Sequence, residues 1–447
     1  MYLVNINKMK VRKRLVSRGR RYRKKRFQAL AVKALSAVAV AVAAWIIGIF
    51  VFMTKPAGTT LSTSTLPISP SSLNDVNYGS QLLSSGSLND AKYESPLLIF
   101  TFKRPEYLEK TLQNVLSTIP QPCGFGCPVV VSEDGRHEEI EDVVLLFKNK
   151  FEEKDIPLIH IRHERSVRST ANAYKALAKH YGWALSQVFD GIFKSSFIQR
   201  VVILEEDIKV APDFFSYMEA TSSLLDHDPT LYAVSAFNDN GYFPNGDPKR
   251  VLRSDFFPGL GWMINRNLWK SELESKWPRG WWDDWLREPA QRKDRQVLRP
   301  EVSRTHHFGS KGGASKNAFG RRLERNKLNE KVIQWDMEDL SYLESSLYEN
   351  QYTKQVMSSK LVHSINEVKE AKHARSGSNV RLEYKDFSHF SELAAHLKIM
   401  KDEKAMVPRT AYRGIVEVRL GSTLLFLTPK GGFQGYKSKA TEERHSI

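Results

Sequence analysis

Three carboxylates stand side by side at Glu205, Glu206 and Asp207, directly after the apolar run Val201–Leu204. An uninterrupted Val/Ile/Leu run of this length predicts a strand that is buried on both faces of a parallel sheet. The three acids would then lie at the carboxyl end of that strand, where open α/β sheets bind their ligands. Because like charges repel, the acids need a compensating cation or a partner rich in hydroxyl groups. The alternative interpretation of an isolated acidic tripeptide is a solvated acidic loop.

Two more acids, Asp134 and Asp239, follow other predicted strands and would face the same edge of the sheet. Such a cluster suits a nucleotide sugar, because one carboxylate can hold a Mg- or Mn-type cation while others accept hydrogen bonds from ribose and sugar hydroxyls. The cation would act as a Lewis acid that stabilises the departing diphosphate. The acids together indicate a metal-assisted site at this edge.

Three further motifs each allow a chemical and a structural interpretation. The segment Trp281–Trp285 reads WWDDW; its indoles suit the apolar faces of sugar rings and its Asp283 suits a general base, but an aromatic core with exposed acids is the alternative. The glycines of Phe256–Trp262 fit either a turn that faces the substrate or a tight connection in the core. The pair His306–His307 resembles half a metal site, and structural or solvent-facing histidines are the alternative.

The elements that would position these residues alternate between strands and helices over the first part of the body. Alternation of this kind predicts right-handed parallel crossovers and an α/β sheet covered on both faces. Strands are predicted at Leu97–Phe102, Pro128–Ser132, Ile156–Ile161, Val201–Leu204 and Leu231–Phe237, and helices from Pro105, at His137–Lys148, at Thr170–Val188 and at Pro212–Leu225. Short strands at Ile415–Leu420 and Thr423–Leu427 predict a smaller second domain.

The charge of the chain is concentrated at its N-terminus. The formal net charge is +17, but residues 1–33 hold 13 Lys/Arg and no acid, which leaves 54 basic and 50 acidic residues in the remainder. A nucleic-acid surface on the folded body is therefore poorly supported, and we expect no nucleic-acid partner.

Residues 34–53 are 20 consecutive residues without a charge, which is long enough for a helix that crosses a bilayer. With the cations on the N-terminal side, the positive-inside rule predicts a type II anchor with the C-terminus in a lumen. Cleavage as a signal peptide is the alternative. The predicted organisation is a cytosolic tail at 1–33, a transmembrane helix at 34–53, a Ser/Thr/Pro-rich stem at 54–95, a donor-binding catalytic domain at 96–308, a mobile loop and linker at 309–343, and a smaller domain at 344–447.

The two cysteines, Cys123 and Cys127, lie four residues apart. A lumenal location permits a disulfide between them, whereas a zinc site would need a second pair of ligands at suitable spacing. A disulfide and two free thiols both stay open.

Six stretches together resemble the N-acetylglucosaminyltransferase I family, which comprises Golgi enzymes that start complex N-glycan formation. The resemblance covers the body from about residue 96 to the end. It rests on VVILEEDIKVAPDFFSYMEA, VSAFNDNG, RSDFFPGLGW, KWPRGWWDDWLREPAQRK, RPEVSRTHHFGSKG and VPRTAYRGIV. The resemblance implies a GT-A fold (a Rossmann-like nucleotide-diphospho-sugar transferase domain), UDP-GlcNAc as donor, Mn²⁺ as cofactor and inversion at the anomeric carbon.

By position, the resemblance makes Asp207 the direct metal ligand. It implies that Glu205 and Glu206 face the donor sugar and ribose, and that Arg104 and Asp134 contact the uridine part. The second acid of the triplet departs from the family, which usually has aspartate where this chain has Glu206.

The resemblance also implies that Asp283 is the base of a single in-line displacement, without a covalent nucleophile. The segment Gly309–Ser315 resembles a family loop that orders over the bound donor and excludes water. A second departure is Lys103, which stands where the family usually has an acid.

The function expected from this resemblance is β1,2 transfer of GlcNAc to the α1,3-arm mannose of a high-mannose N-glycan, by a single-pass type II protein of the Golgi membrane. The expected partners are UDP-GlcNAc, a mannose-terminated N-glycan on a glycoprotein, and the Golgi membrane. Transfer to O-linked mannose is the closest alternative. A sugar-binding protein without turnover is the alternative from another class, and a nucleotidyl or phosphoryl transferase ranks last because the chain has no Walker P-loop.

Overall fold

The computed structural model describes residues 94–164, 172–193, 198–242, 245–309, 322–373 and 379–430. The predicted tail, the predicted span at 34–53 and all but the last two residues of the predicted stem lie outside these ranges, as does the segment 310–321 of the predicted loop. Among the described residues, no helix has both the length and the apolar character needed to cross a bilayer.

A mixed eight-stranded sheet forms the centre of the described structure, with the strand order β3-β2-β1-β4-β8-β6-β9-β7. All five strands predicted from the sequence are present and run in the same direction, and β9 runs with them. The strands are β1 (Pro96–Thr101), β2 (Gly126–Asp134), β3 (Leu158–His163), β4 (Arg200–Glu205), β6 (Leu231–Ser235), β7 (Val251–Ser254), β8 (Trp262–Asn265) and β9 (Gln296–Pro300), and a separate pair is formed by β5 (Ile208–Val210) and β10 (Thr305–His307).

The predicted strands are parallel, but the sheet also contains β7 and β8, which are antiparallel to their neighbours. The strands β7 and β8 run in the same direction as each other and are separated in the sheet by β9 and β6. The strand β8 enters the sheet between β4 and β6. Four-residue strands next to a Gly-rich loop carry too little periodicity to be predicted from sequence.

Helices cover both faces of this sheet. The first begins at Pro105, whose fixed φ suits the first helical position, and the third is capped by the Asn172 side chain, which accepts hydrogen bonds from the amides of Tyr174 and Lys175. The longer helices are α1 (Pro105–Thr118), α2 (Glu138–Glu152), α3 (Ala173–Ser186), α4 (Phe214–His227), α5 (Trp282–Arg287), α6 (Ser345–Ser358), α7 (Ile365–His373) and α8 (Phe387–Leu397).

Alternate residues of the central strands enter different hydrophobic cores. Leu97 and Ile99 of β1 pack in the core that includes α1, α2 and α4, whereas Leu98 and Phe100 pack with α3 and a group of tryptophans. This alternation is the period of two that a pleated strand imposes. Both faces of β1 are buried, and this packing fixes the position of the strand's carboxyl end.

A second sheet has its own hydrophobic core and the strand order β11-β12-β16-β15. It contains both strands predicted near the C-terminus, and these two strands pair antiparallel. Its strands are β11 (Lys360–Val362), β12 (Val380–Tyr384), β15 (Val416–Leu420) and β16 (Thr423–Pro429), and a small hairpin is formed by β13 (Glu403–Lys404) and β14 (Val407–Pro408). The predicted domain boundaries stay a prediction.

The two cysteines form a disulfide, Cys123–Cys127, at the start of β2. This removes the alternative of two free thiols.

Buried ion pairs connect the second sheet to the central one. Glu301, which follows β9, accepts hydrogen bonds from Arg419 of β15 at 3.0 Å and from Arg250 at 3.2 Å. Arg250 also donates to Glu417 at 3.0 Å. Burial by itself would raise the pKa of Glu301, but the two guanidinium groups outweigh it and lower the pKa below its ordinary value.

We predict that Glu301→Gln lowers the free energy of unfolding by about 3 kcal/mol at neutral pH, because it removes the carboxylate that pairs with Arg419 and one of the two that pair with Arg250. Since the folded-state pKa of Glu301 is lowered, its contribution is complete above the ordinary glutamate pKa and is lost as the pH falls through the folded value. Urea unfolding of the purified protein at several pH values measures this.

The matched control is Glu338→Gln, which breaks the ion pair with the exposed Lys249 and should cost only about 0–1 kcal/mol. Equal losses in the two variants, or a Glu301 effect that grows in acid, would contradict the prediction.

Candidate active site

The acidic triplet lies at the carboxyl edge of the central sheet. Glu205 ends β4 in register with Phe100 of β1, and the Glu206 amide donates to the Phe100 carbonyl at 2.9 Å. The chain then enters β5, which pairs antiparallel with β10 so that Ile208 lies opposite His307. These two short strands bring residues that are 100 positions apart in sequence to one place.

Asp207 is buried and polarised by two basic side chains. Its Oδ2 lies 2.8 Å from Arg104 Nη2 and 3.4 Å from His307 Nε2. Burial would raise the pKa of Asp207, but His307 and Arg104 lower it below its ordinary value, so the carboxylate is ionised. The other oxygen, Oδ1, is buried and has no hydrogen-bond partner among the described residues.

Glu206 is also buried, but protein donors occupy its carboxylate. Oε2 accepts from the Thr101 hydroxyl and from the Phe102 amide at 3.0 Å, while Oε1 accepts from Arg104 Nε at 2.5 Å. The sequence resemblance assigned Glu206 and Arg104 to the nucleotide-sugar donor. In the structure these two side chains form an ion pair with each other. Their first effect is to fix the position of Asp207.

Glu205 differs from its two neighbours because no basic side chain bonds to it directly among the described contacts. Its Oε1 accepts a hydrogen bond from the Tyr181 hydroxyl at 2.8 Å. Burial and the nearby charge of Asp207 raise the pKa of Glu205 to about 7. Burial and the charge of Glu205 raise the pKa of Tyr181 well above its ordinary value, so the hydroxyl stays protonated and donates.

Aromatic rings join the triplet to the WWDDW segment. The Tyr181 ring stacks on Phe100 at a centroid distance of 3.8 Å and on Trp282 at 4.2 Å. Trp282 is buried and also stacks on Trp262 at 5.6 Å. The helix α5 that begins at Trp282 is therefore packed directly against the residue that contacts Glu205.

Asp283 lies in the first turn of α5 with a side chain that is 38% exposed, so it can meet a substrate from the solvent side. Arg287 donates to Asp283 and to Asp284 at 2.8 Å each. Asp284 also accepts a hydrogen bond from Lys404 at 3.0 Å. Burial raises the pKa of Asp284, but Lys404 and Arg287 outweigh burial and lower this pKa below its ordinary value. Asp284 therefore bonds to two basic side chains, Arg287 and Lys404, whereas Asp283 bonds to Arg287.

Trp281 is exposed to solvent, whereas Trp282 belongs to the core. Trp281 is 46% exposed, stacks on Tyr174 at 5.8 Å and has a left-handed backbone with φ of 47°. A bulky residue in that conformation is an outlier that neighbouring structure must hold in place. Trp282 is thus part of an aromatic core, as the structural interpretation predicts, and the chemical interpretation of Trp281 and Asp283 stays a prediction.

Asp134 ends β2 at the same edge of the sheet. Its Oδ1 is hydrogen-bonded to His163 Nδ1 at 2.9 Å. The His163 ring stacks near His180 at 5.5 Å, and His180 Nε2 bonds to Ser132 at 2.7 Å. These groups form a second polar cluster, on the side of the sheet edge formed by β2 and β3.

Two expected site residues have structural roles. Asp239 is buried and pairs with Arg409 at 2.5 Å. The turn Phe256–Trp262 is a tight connection in the core, because Thr305 donates to the Leu260 carbonyl at 2.6 Å and a Cβ at Gly261 would lie 2.5 Å from the Thr305 side chain.

The residues around Asp207 fit a divalent cation. Oδ1 is a buried anionic oxygen without a protein partner, and hard cations take oxygen ligands of this type. Gly309 lies against the carboxylate so closely that a Cβ there would be 2.0 Å from Oδ2. Among the described residues no group of three or more His, Cys, Asp or Glu is placed to hold a metal by itself.

Sequence reasoning missed several residues of this site. His307 was noticed only as half of a histidine pair, and its contact with Asp207 depends on the pairing of β5 with β10. Tyr181 and His180 lie within the third helix and carry no local signal. Thr101 ends β1, one residue from the position where the sequence placed the end of the strand.

A family model and a curated relative both match most of this chain and agree on its family. The GNT-I family matches residues 78–440. The alpha-1,3-mannosyl-glycoprotein 2-beta-N-acetylglucosaminyltransferase of Arabidopsis thaliana is 39% identical over 329 residues, which covers 73% of this chain and 72% of the relative.

Solved structures give a weaker likeness. The mannosyltransferase PcManGT from Pyrobaculum calidifontis, in complex with GDP-Man and Mn²⁺, has a TM-score of 0.26 at 18% identity and covers 41% of this chain and 47% of its own. Glucosyl-3-phosphoglycerate synthase from Mycobacterium tuberculosis has a TM-score of 0.29 at 12% identity and covers 54% and 83%. With TM-scores this low, the family membership of this chain rests on the sequence matches alone. This chain belongs to the GNT-I family.

Proposed function

We propose that this chain transfers GlcNAc from UDP-GlcNAc in β1,2 linkage to the α1,3-arm mannose of a high-mannose N-glycan, with inversion at the anomeric carbon. The observation that carries the proposal is the family match over residues 78–440, which spans the buried acidic triplet and the Asp283 helix. The name of the Arabidopsis relative supports the same linkage and acceptor. The mixed α/β sheet with its acids at one edge is compatible with a GT-A donor domain.

Asp283 supplies the base of the reaction. It takes the proton from the attacking mannose hydroxyl as the hydroxyl oxygen bonds to the anomeric carbon, and the bond from that carbon to the diphosphate breaks with its electron pair leaving on UDP. Arg287 holds the Asp283 carboxylate in place from the same helix. Trp281, two residues before Asp283 in the chain, is exposed and offers an apolar face to the acceptor sugar.

The donor lies along the edge of the sheet. Asp134, with the histidines around it, is assigned to the uridine, and Glu205 is assigned to hydroxyl groups of the donor sugar. Glu206 can bind the ribose, and Arg104 the uridine, only when the hydrogen bond between these two side chains breaks. Otherwise they act by positioning Asp207.

Asp207 holds Mn²⁺ in this proposal. The metal supplies Lewis-acid stabilisation of the diphosphate that departs. Asp207 is suited to this because it is buried, ionised and has one unpartnered oxygen.

The first prediction concerns the base. Purified protein with Mn²⁺ and UDP-GlcNAc should transfer GlcNAc to a five-mannose N-glycan, and Asp283→Asn should reduce this rate by roughly 10²–10⁴-fold because the proton acceptor is lost. The matched control is Asp284→Asn, which removes a carboxylate one residue away and should retain most of the rate. Product analysis by mass spectrometry and linkage analysis measures both.

The same assay decides between acceptors. A mannosyl peptide with O-linked mannose should be a much poorer acceptor than the five-mannose glycan. Preference for the peptide would replace the proposed function with the alternative, and full activity of the Asp283→Asn variant would remove the assigned base. Binding of mannosides without any turnover would favour a sugar-binding protein.

The second prediction concerns the metal. Asp207→Asn should weaken Mn²⁺ binding in the presence of UDP and reduce transfer by roughly a hundredfold or more, because a metal contributes several kcal/mol of charge stabilisation. The control Asp226→Asn, which breaks a pair with Arg200 away from the site, should leave both unchanged. Isothermal titration with Mn²⁺ and UDP measures binding, and unchanged affinity would refute the ligand assignment.

The third prediction concerns location. We propose a single-pass type II protein of the Golgi membrane with its catalytic body in the lumen; the uncharged stretch at 34–53 and the 13 basic residues before it support the span and its orientation. With a tag at each end, protease added to intact Golgi vesicles should remove the N-terminal tag and spare the C-terminal one until detergent is added. The reverse pattern, or loss of the N-terminal tag during synthesis, would contradict a type II anchor.

A further inference from the structure

We propose that the hairpin β13–β14 binds the acceptor glycan, and that Met406 at its tip packs against a mannose unit next to the one that receives GlcNAc. This inference rests on the proposed function, because it extends the site of the same reaction. The hairpin contacts the helix that carries the base, since Lys404 Nζ of β13 lies 3.0 Å from Asp284 Oδ2 in α5. Asp284 directly follows Asp283 in the chain.

The geometry of α5 places the hairpin on the acceptor side of Asp283. Successive helical residues are turned by about 100°, so Asp284 points about 200° away from Trp282. Trp282 stacks on Tyr181, which in turn bonds to Glu205 of the triplet. Asp283 therefore lies between the face of α5 that packs toward the triplet and the face that meets the hairpin. With the donor on the triplet side, a glycan whose hydroxyl reaches Asp283 extends along the hairpin side.

The tip of the hairpin has an unusual conformation for its sequence. Lys404 pairs with Val407, which leaves a two-residue turn of Ala405 and Met406. Both turn residues have left-handed backbones, with φ of 49° and 62°. Turns of this kind prefer Asn-Gly, because most residues with a Cβ are strained in that conformation. Such strain persists only where the surrounding structure holds it, and it clusters at binding sites.

Buried contacts fix the chain directly after the tip. Val407 is 3% exposed and packs in the core of the second sheet. Arg409 is 4% exposed and pairs with Asp239 at 2.5 Å and with Asp402 at 2.7 Å. Together with the bond from Lys404 on the other side of the turn, these contacts hold the tip beside α5.

The side chain at this fixed tip suits an uncharged sugar. Met406 is large, apolar and 46% exposed. Methionine is flexible and polarisable, so it adapts to the shape of a bound ligand. Sugar rings present apolar C–H faces that can cover such a side chain. Met406 therefore offers a contact for the acceptor that the base and Trp281 do not supply.

The test compares two acceptors of the full-length protein, a five-mannose N-glycan and methyl α-mannoside, whose single sugar does not extend to the hairpin. Met406→Ser should raise KM for the glycan roughly fivefold to tenfold with kcat unchanged, because it removes binding that is equal in the ground and transition states. The kcat/KM for methyl α-mannoside and the KM for UDP-GlcNAc should stay unchanged. Steady-state kinetics with Mn²⁺ measures all of these, and a general structural defect would affect both acceptors alike.

Two further single variants serve as controls. Met337→Ser removes a methionine that is 80% exposed in a different segment, and it should change none of these constants. Met406→Leu retains an apolar side chain of similar size, and it should keep a KM for the glycan close to that of the wild type.

A double variant separates binding from folding. Ala405→Asn combined with Met406→Gly gives the turn the sequence that its backbone prefers, so the midpoint of thermal unfolding should rise. The same variant lacks the methionine side chain, so its KM for the glycan should rise as in Met406→Ser. A more stable protein with weaker acceptor binding cannot result from damage to the fold.

An unchanged KM for the glycan in Met406→Ser and in the double variant would overturn this inference and leave the proposed function standing. An equal loss with both acceptors would have the same consequence, since the wild type would still transfer GlcNAc. Wild-type protein that transfers GlcNAc to neither acceptor would overturn both the inference and the proposed function.

Discussion

The three carboxylates of Glu205, Glu206 and Asp207 lie together at the end of β4, and among the described residues only two basic side chains, Arg104 and His307, pair with them directly. Glu206 and Asp207 share Arg104, and Glu205 has only the Tyr181 hydroxyl. Burying a charge without a partner is costly, and the result is a Glu205 whose pKa is raised to about 7 beside an Asp207 that stays ionised. A divalent cation at Asp207 would supply the charge that is missing. The same cation would neutralise the diphosphate of a nucleotide sugar, so the electrostatics of the site and of its donor have a common solution.

The rest of the body serves to hold this edge rigid. Phe100, Tyr181 and Trp282 form one continuous stack from the end of a central strand to the helix that carries Asp283. Movement of the Asp283 helix relative to the triplet would have to break that packing. Fixed positions of this kind allow charged groups to act without reorganising during a reaction. The strain at Trp281 lies where this packed core meets the solvent.

Local patterns in the sequence were sufficient for the main strands and for the acidic edge. The run before Glu205 is apolar on both faces because β4 lies in the middle of the sheet, and that property can be read from sequence alone. The insertion of β8 between β4 and β6 could not be read in this way, because a four-residue strand owes its position to its neighbours. The contact between Asp207 and His307 likewise depends on the pairing of two three-residue strands. The predicted tail, the predicted anchor and residues 310–321 of the predicted loop fall outside the described residues.

The unequal roles within the triplet follow from the lengths of the side chains. Glu206 reaches back to Thr101 and to the Phe102 amide at the end of β1 while also bonding to Arg104. The family usually has the shorter aspartate at this position, and the additional methylene suits a carboxylate that must reach three protein donors. Arg104 is thereby fixed where its second nitrogen meets Oδ2 of Asp207. Because Oδ2 is occupied, Oδ1 is the oxygen left for the proposed cation, and Glu206 orients Asp207 through Arg104.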